Sequence, residues 1–361
     1  MTLQGRLNDE DVLSVLSPPS DWWDSWDRKV CRNVSQGDNC NLARAAKTSF
    51  LSSWPGDPFS LRHLHSVPGQ SSPSPLTACI TTNLALALRK SFDVNHDGAL
   101  SLQEKSSLLT TVGVSPALAV LRLAGQVGLT SHLPRYIGCC GRLAVIEGGL
   151  TRLEDEVSRD WSTRAELAGQ LLALLENFLS VDGWVMVAWG LSWPDFSLSR
   201  SGQLVFTGLD KVTPVDKTLL EPPSEEDRPV CNSECFSKFK KDVIMRTPRG
   251  QPGLGCGAAL LYADMMYRDV CTNIFSDQEG RLGLLHSAPS EDSEEITKLV
   301  KECAVEEGKG GRWRALDDLK EILSESDGDS EETSTDYSTE SGNITEQDSG
   351  ESGEYEDTRD T

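Results

Sequence analysis

Residues 160–178 read DWSTRAELAGQLLALLENF, and residues 184–212 read WVMVAWGLSWPDFSLSRSGQLVFTGLDKV. Leucines recur at helical spacing in the first stretch, so we predict a helix over 163–180, with Thr163 and Glu166 as a capping box at its start. The second stretch predicts an apolar strand, a tight loop (SWPDFSLSRSGQ) and a second short strand. The fold assignment depends on this order of a long helix followed by strand, loop and strand.

Further helices are predicted on both sides of this segment. Their apolar residues recur every three or four positions, which is the spacing of one helix face. The predicted ranges are 81–92, 102–109, 116–127, 259–275 and 312–324. Together with the strands, these helices predict an α+β fold.

The charge of the chain is strongly acidic and unevenly distributed. The formal net charge is −22 over 361 residues, and residues 324–361 contain fourteen acidic residues and a single arginine. A nucleic-acid surface needs clustered Lys and Arg to displace counterions, so this balance argues against such a partner. The stretch 325–361 has only three aromatic or aliphatic residues, Tyr337, Ile344 and Tyr355, which are too few for a core, and it is predicted to be a disordered acidic tail.

The ten cysteines favour disulfide pairing over metal binding. Cys231 and Cys235 are four apart, and no matching second pair follows them, so their spacing does not predict a zinc site. Two sequons, at Asn33 and Asn343, are candidate glycosylation sites and are also consistent with an oxidising compartment. No stretch is long and apolar enough to predict a membrane span or a signal peptide in this chain.

The segment DVNHDGALSLQE, residues 93–104, matches the pattern of an EF-hand calcium loop. Such a loop needs oxygen ligands at positions 1, 3, 5, 7, 9 and 12, with glycine at position 6 for the sharp turn. Gly98 stands at position 6, and helical sequence flanks both sides. We therefore predict that Ca²⁺ is bound by Asp93, Asn95, Asp97, the Ala99 carbonyl, Ser101 and Glu104. The alternative is a turn between two helices that binds nothing.

Seven blocks of sequence between about residues 25 and 324 have a recognisable order. They are 133–147, 160–178, 191–212, CNSECFSKF (231–239), YRDVCTNIF (267–275), RLGLLHSAPSE (281–291) and RWRALDDLKEIL (312–323). In this order they resemble the divergent protein kinase domain family, particularly its deleted-in-autism branch, which comprises kinase-like proteins of the secretory pathway.

The resemblance implies a two-lobed kinase fold with an incomplete small lobe and an inserted EF-hand-like element. The implied parts are a partial small lobe and linker (1–80), the helical insert (81–128), the end of the small lobe with the hinge (129–150), the large lobe (151–324) and the acidic tail (325–361). The resemblance also implies location in the secretory-pathway lumen or secretion. We therefore expect that this chain lacks its true beginning, where relatives carry a signal or anchor.

The resemblance also indicates that the catalytic residues are missing. Kinase chemistry needs an Asp as base, an Asn five residues later for one magnesium ion, and a further Asp for the other. Glycines stand at the two Asp positions, Gly190 and Gly208, and Asp195 stands at the Asn position. We therefore predict a pseudokinase that uses neither ATP nor Mg²⁺ and acts as a binding or signalling module for a protein partner of unknown identity.

Two other functions remain open at this point. One is an active kinase that uses rearranged carboxylates such as Asp195 and Asp210, and the other is a calcium-dependent interaction protein on a kinase-like scaffold. For the cysteines, the first expected disulfide joins Cys31 and Cys40. A second group is expected to pair within the large lobe in a connectivity left open: Cys231, Cys235, Cys256, Cys271 and Cys303.

Overall fold

A computed structural model describes the part of the chain on which the fold depends. The described residues are 4–7, 10–16, 76, 79–101, 104–105, 108, 112, 116–140, 143–220, 259–305 and 311–325, with backbone only for 4–7, 10–16, 116, 138–140, 143–145, 259–263 and 325. The predicted Cys31–Cys40 pair, both sequons and the acidic tail lie outside these residues. Within them, no helix is long and apolar enough to cross a membrane.

The first part of the fold is a four-stranded antiparallel sheet with the strand order β1-β2-β4-β3. Its strands are β1 (Gln4–Leu7), β2 (Glu10–Leu16), β3 (Tyr136–Cys140) and β4 (Leu143–Glu147). β2 pairs with β4 across more than a hundred intervening residues. The helical insert therefore lies, along the chain, between two strands of the same sheet, β2 and β3.

The insert contains two helices in the described residues, α1 (Thr82–Phe92) and α2 (Pro116–Gln126), and both confirm the predicted ranges. The Thr81 hydroxyl caps α1 by accepting a hydrogen bond from the Leu84 amide at 3.1 Å. α1 buries Leu84, Leu88 and Phe92, and it packs against α2. Most of the helix predicted over 102–109 lies outside the described residues.

Helix α3 (Trp161–Ser180) is the longest element, and it corrects the predicted start. Asp160 caps it, because its carboxylate accepts hydrogen bonds from the Thr163 amide at 2.9 Å and from the Thr163 hydroxyl at 3.1 Å. Glu166 instead accepts from Gln170 one turn later. Asp160, three residues before Thr163, therefore caps the helix in place of the predicted Thr163–Glu166 capping box. The predicted apolar face is confirmed as buried: Leu167, Leu171, Leu174, Leu175 and Phe178.

Five short strands follow the four-stranded sheet, one before α3 and four after it. They are β5 (Thr151–Arg152), β6 (Trp184–Ala188), β7 (Phe196–Leu198), β8 (Leu204–Phe206) and β9 (Val212–Asp216). β5, β7 and β8 form one antiparallel sheet, and β6 pairs with β9. The predicted loop SWPDFSLSRSGQ is therefore wrong in part, since its apolar Phe196 and Leu198 pair with β8 as a third strand.

Helices complete the C-terminal half of the described chain. They are α4 (Ala259–Val270), which continues into a π-helical turn (Cys271–Phe275), α5 (Ser293–Val305) and α6 (Gly311–Glu325). A disulfide joins Cys271 to Cys303, with Cα atoms 5.9 Å apart, and ties the turn to α5. Cys79 is also disulfide-bonded. The predicted pairing within the Cys231–Cys303 group is thus confirmed for one pair.

Candidate functional site

The candidate site is formed by two loops that the strand pairing brings together. The loop 189–195 connects β6 to β7, and the loop 207–211 connects β8 to β9. Because Ala188 pairs with Val212 and Phe196 pairs with Phe206, the two loops begin and end side by side. This arrangement places Gly190 and Asp195 of the first loop next to Gly208 of the second.

Asp195 is buried at the centre of the site, with 5% of its surface exposed. Its Oδ2 accepts hydrogen bonds from the amide and the hydroxyl of Ser192, at 2.8 and 3.1 Å. The same oxygen lies 2.6 Å from the Lys211 ammonium. Its main-chain carbonyl accepts from the amides of Thr207 and Gly208 and so joins the two loops. Asp195 is therefore a charged residue with its partners already in place.

Lys211 belongs to the 3₁₀ turn Leu209–Lys211, which leads into β9. Besides the bond to Asp195, its ammonium donates to the Gly190 carbonyl oxygen at 2.7 Å. One cation thus bridges the two positions where the kinase pattern expects the base and a magnesium ligand.

A second carboxylate holds the backbone of the first loop from the opposite side. The Oδ2 of Asp269, on α4, accepts hydrogen bonds from the amides of Gly190 and Leu191 at 2.7 and 3.2 Å. Asn273 donates to the Leu191 carbonyl at 2.8 Å. Burial raises the pKa of Asp269 above its ordinary value even though those amides and the nearby Arg268 and Lys211 favour the charged form. The conformation of the loop therefore depends on a helix about eighty residues further along the chain.

The two glycines are required for different reasons. Gly190 has a φ of +64°, in the left-handed region that other residues avoid, but a Cβ there would meet nothing within 4 Å. Gly208 has an ordinary φ, but a Cβ there would lie 2.6 Å from Asp195 Oδ1. A side chain at position 208 therefore cannot enter the site unless Asp195 moves away.

These residues do not fit the magnesium ions that a kinase uses. Two of the three expected ligand or base side chains are replaced by glycine, and the third, Asp195, is paired with an ammonium. Asp210, in the same turn as Lys211, is exposed. The structure places Gly190, Asp195 and Gly208 next to one another and leaves the Asp195 carboxylate bound to Ser192 and Lys211.

The predicted calcium loop begins where α1 ends. Gly98 has a φ of +79°, and its amide donates to Asp93 Oδ2 at 2.8 Å. The Ala99 amide donates to Asp97 Oδ1 at 2.8 Å, and Asn95 donates to Asp97 Oδ2 at the same distance. These bonds fix the turn between Asp93 and Ala99.

Glu104 closes the loop through hydrogen bonds to the protein. Its Oε1 accepts from the Val94 amide at 2.9 Å, and its Oε2 accepts from the Ser101 amide and hydroxyl, both at 2.7 Å. Burial works against the charged form, but these hydrogen bonds outweigh it, so the pKa of Glu104 lies below its ordinary value. Among the described residues, no three His, Cys, Asp or Glu side chains converge as a preformed metal site. Ion binding would therefore require Glu104 to exchange its present partners.

Asp93 has a buried carboxylate oxygen that bears on whether the loop fits a cation. Only 7% of the residue is exposed, and its Oδ1 is buried with no hydrogen-bond partner among the described residues. Burying a carboxylate oxygen without a partner is unfavourable, so a bound cation would relieve this cost. The donors of the loop are oxygens, which Ca²⁺ prefers. The residues present therefore fit a calcium ion.

Hydrogen bonds connect the insert to the strands of the candidate site. Asp216, the last residue of β9, accepts from the Thr81 hydroxyl at 3.2 Å and from the Asn83 amide at 2.8 Å. At the other end of α1, Arg122 of α2 donates to the Ser91 carbonyl and stacks over the Phe92 ring. The insert is thus attached to the strand that follows Lys211.

Two residues hold the site together without being predicted by any sequence pattern, Lys211 and Asp269. Both lie within blocks that carry the family resemblance, GLDKV and YRDVCTNIF. Nothing in their local spacing identifies their partners, which are sixteen and about eighty residues away.

Comparisons with known proteins identify the family of this chain. The family model described as the protein-kinase domain of FAM69 matches residues 120–306, more than half of the chain. The chain is 25% identical to human Divergent protein kinase domain 2A over 322 residues, 83% of this chain and 70% of that protein. It is 28% identical to mouse Divergent protein kinase domain 2B over 164 residues, 43% of this chain and 36% of that protein. No solved structure matches. The chain therefore belongs to the FAM69 family of divergent protein kinase domains.

Proposed function

We propose that this protein is a pseudokinase: it keeps a kinase-like fold, transfers no phosphate, and serves as a binding or signalling module in the secretory pathway. The observation that carries the proposal is the replacement of both required aspartates by Gly190 and Gly208, with the remaining carboxylate, Asp195, bound to Lys211.

The chemistry of phosphate transfer explains why these replacements matter. The enzyme must position the attacking oxygen and neutralise the charge that spreads over the transferred phosphate. A glycine can neither accept a proton nor bind a metal ion through a side chain. Loss of one such electrostatic contact costs about 3 kcal/mol of transition-state stabilisation. With two contacts missing and the third engaged, we expect no measurable turnover.

The main alternative is an active kinase with rearranged carboxylates at Asp195 and Asp210. Asp195 argues against it, because its Oδ2 is already satisfied by Ser192 and Lys211. Asp210 is exposed, and among the described contacts it makes no hydrogen bond to the residues around Asp195. A second alternative is a calcium-dependent interaction protein on a kinase-like scaffold, and it differs from our proposal only if the kinase-like domain binds no ligand of its own.

We also propose that the insert binds one Ca²⁺ ion through Asp93, Asn95, Asp97, the Ala99 carbonyl, Ser101 and Glu104. The buried, unpartnered Oδ1 of Asp93 supports this proposal. Location in the secretory-pathway lumen is supported by the Cys271–Cys303 disulfide, because structural disulfides persist in oxidising compartments. The same compartment supplies enough calcium for a single loop of modest affinity.

Phosphate transfer is tested with the full chain, radiolabelled ATP and either Mg²⁺ or Mn²⁺, with itself and generic proteins as acceptors. We expect no incorporation above that of heat-denatured protein. Incorporation that is lost in Asp195→Ala and in Asp210→Ala, but kept in Glu166→Gln, would show an active kinase that uses the rearranged carboxylates. Glu166 is a suitable control because it is exposed and lies on α3, outside the site.

Calcium binding is tested by titration calorimetry. We expect one site in the wild type and loss of most of the heat in Glu104→Gln, with Glu166→Gln behaving as the wild type. If the wild type gives no calcium-dependent heat, the loop is a turn between helices, and the pseudokinase proposal is unaffected.

A further inference from the structure

The loops 189–195 and 207–211 together form what we call the degenerate kinase loop. We propose that the Lys211 ammonium takes the place of a metal ion in this loop and excludes a divalent metal ion from Asp195. The inference rests on the proposed function, because it explains how a loop that has lost its metal ligands keeps a buried carboxylate. It assigns Lys211 as a positioning residue, which holds the loops together and touches no reacting atom.

The side chain of Asp195 is deeply buried. Only 7% of its side chain is exposed, against 29% of the Lys211 side chain. A carboxylate this deeply buried needs an opposite charge and hydrogen bonds to stay ionised. Ser192 supplies two hydrogen bonds, and Lys211 supplies a positive charge at 2.6 Å. The lysine therefore neutralises the charge that a metal ion would otherwise neutralise.

The Lys211 ammonium contacts two oxygen atoms of the loop. It lies between Asp195 Oδ2 and the Gly190 carbonyl oxygen, 2.6 and 2.7 Å from them. These are the oxygens that a divalent ion in this loop would use, since hard cations take carboxylate and carbonyl oxygens. A metal ion bound there would have to displace the ammonium or lie beside a like charge. Both are unfavourable in a buried site.

Gly208 makes the contact between Lys211 and Asp195 sterically possible. The Gly208 carbonyl accepts a hydrogen bond from the Lys211 amide at 2.9 Å, so the turn folds back over position 208. A Cβ at this position would lie 2.6 Å from Asp195 Oδ1 and would push that carboxylate away from the turn. The missing aspartate at 208 and the lysine at 211 are therefore parts of one arrangement: the glycine leaves room for Asp195, and the lysine neutralises it.

The experiment uses the full chain carrying Glu104→Gln, so that the calcium loop does not contribute a metal signal. Lys211→Met is compared with this parent and with Lys298→Met, which removes an exposed lysine on α5. The probe is Mn²⁺ alone, observed by electron paramagnetic resonance and by its effect on the melting temperature, each against EDTA. No nucleotide is present.

We expect the parent and Lys298→Met to bind no Mn²⁺ at this site. In EDTA, Lys211→Met should melt roughly 3 °C or more below the parent, because it leaves a buried carboxylate without its cation. Mn²⁺ should then bind to Lys211→Met and restore most of that loss. Uptake of Mn²⁺ by the parent that disappears in Asp195→Asn would overturn the proposal. An unchanged melting temperature in Lys211→Met, or a lowered one without Mn²⁺ uptake, would overturn it as well.

A second variant covers the case in which Lys211→Met does not fold. The double variant Asp195→Asn with Lys211→Met removes both charges and should be more stable than Lys211→Met alone, with no response to Mn²⁺. A double variant no more stable than the single one contradicts the proposal. These measurements are separate from phosphate transfer, so turnover by the wild type would reject the proposed function without deciding the role of Lys211.

Discussion

The calcium loop and the degenerate kinase loop each contain a buried aspartate, but the two carboxylates differ in what they still lack. Asp93 Oδ1 has no hydrogen-bond partner among the described residues, while the Oδ2 of Asp195 accepts three hydrogen bonds, one of them from an ammonium. We therefore propose that an added cation stabilises the calcium loop, whereas the Lys211 ammonium already neutralises Asp195. The comparison shows that the hydrogen-bond donors around an aspartate decide whether its carboxylate is free to bind a metal ion. The residue type alone does not decide this.

Within the degenerate kinase loop, glycine has different roles at positions 208 and 190, and the largest expected effect tests this difference. Gly208→Ala should destabilise the protein by about 2 to 3 kcal/mol, because its Cβ overpacks against Asp195. Urea denaturation of the wild type and the variant would measure this loss. A loss below that of Gly190→Ala would mean that Asp195 yields easily and that the site is not tightly packed.

The second prediction concerns the anchor on α4. Asp269→Ala leaves the amides of Gly190 and Leu191 without their acceptor and should cost about 2 kcal/mol. Hydrogen exchange should quicken at those two amides, while the Gly98 amide of the calcium loop stays unchanged. Equal quickening in both loops would indicate global unfolding and would contradict a local role for Asp269.

The third prediction compares the two left-handed glycines, Gly98 and Gly190, where an added Cβ would meet nothing within 4 Å. Alanine at either position should cost about 1 kcal/mol through backbone strain alone. Only Gly98→Ala should also weaken calcium binding, which calorimetry would detect. Weaker calcium binding in Gly190→Ala would show that the kinase loop affects the insert.

The smallest effect is a difference in pH dependence between the loops. The pKa of Glu104 is lowered in the folded protein, so its contribution to stability is present above the ordinary value of 4.5 and is lost as the pH falls through the folded value. The pKa of Asp269 is raised by burial, so its contribution is present below 3.8 and is lost as the pH rises through the folded value.

Denaturation of calcium-free protein between neutral and acidic pH would measure both contributions. Glu104→Gln should remove a part of the stability that increases with pH, and Asp269→Asn should remove a part that decreases with pH. The same direction of change in both loop variants would contradict the opposite pKa shifts of Glu104 and Asp269.

Local patterns predicted the parts of this protein in which neighbours along the chain determine the structure. Apolar residues at helical spacing predicted α1, α2 and α3, because one helix face is buried over several turns. The start of α3 was wrong by two residues, because Asp160 competes with Thr163 for the capping role. β7 was assigned to a loop, because three residues are too few for an alternation to be recognised.

The sequence by itself determined the family, the α+β class, the pattern of the calcium loop and the absence of aspartate at positions 190 and 208. The tertiary structure decided which charges meet. Lys211 reaches Asp195 only because two strand pairs place their loops side by side, and Asp269 reaches Gly190 only because α4 packs against β6. Electrostatic interactions depend on distance in space, which spacing along the chain does not reveal for residues far apart in sequence.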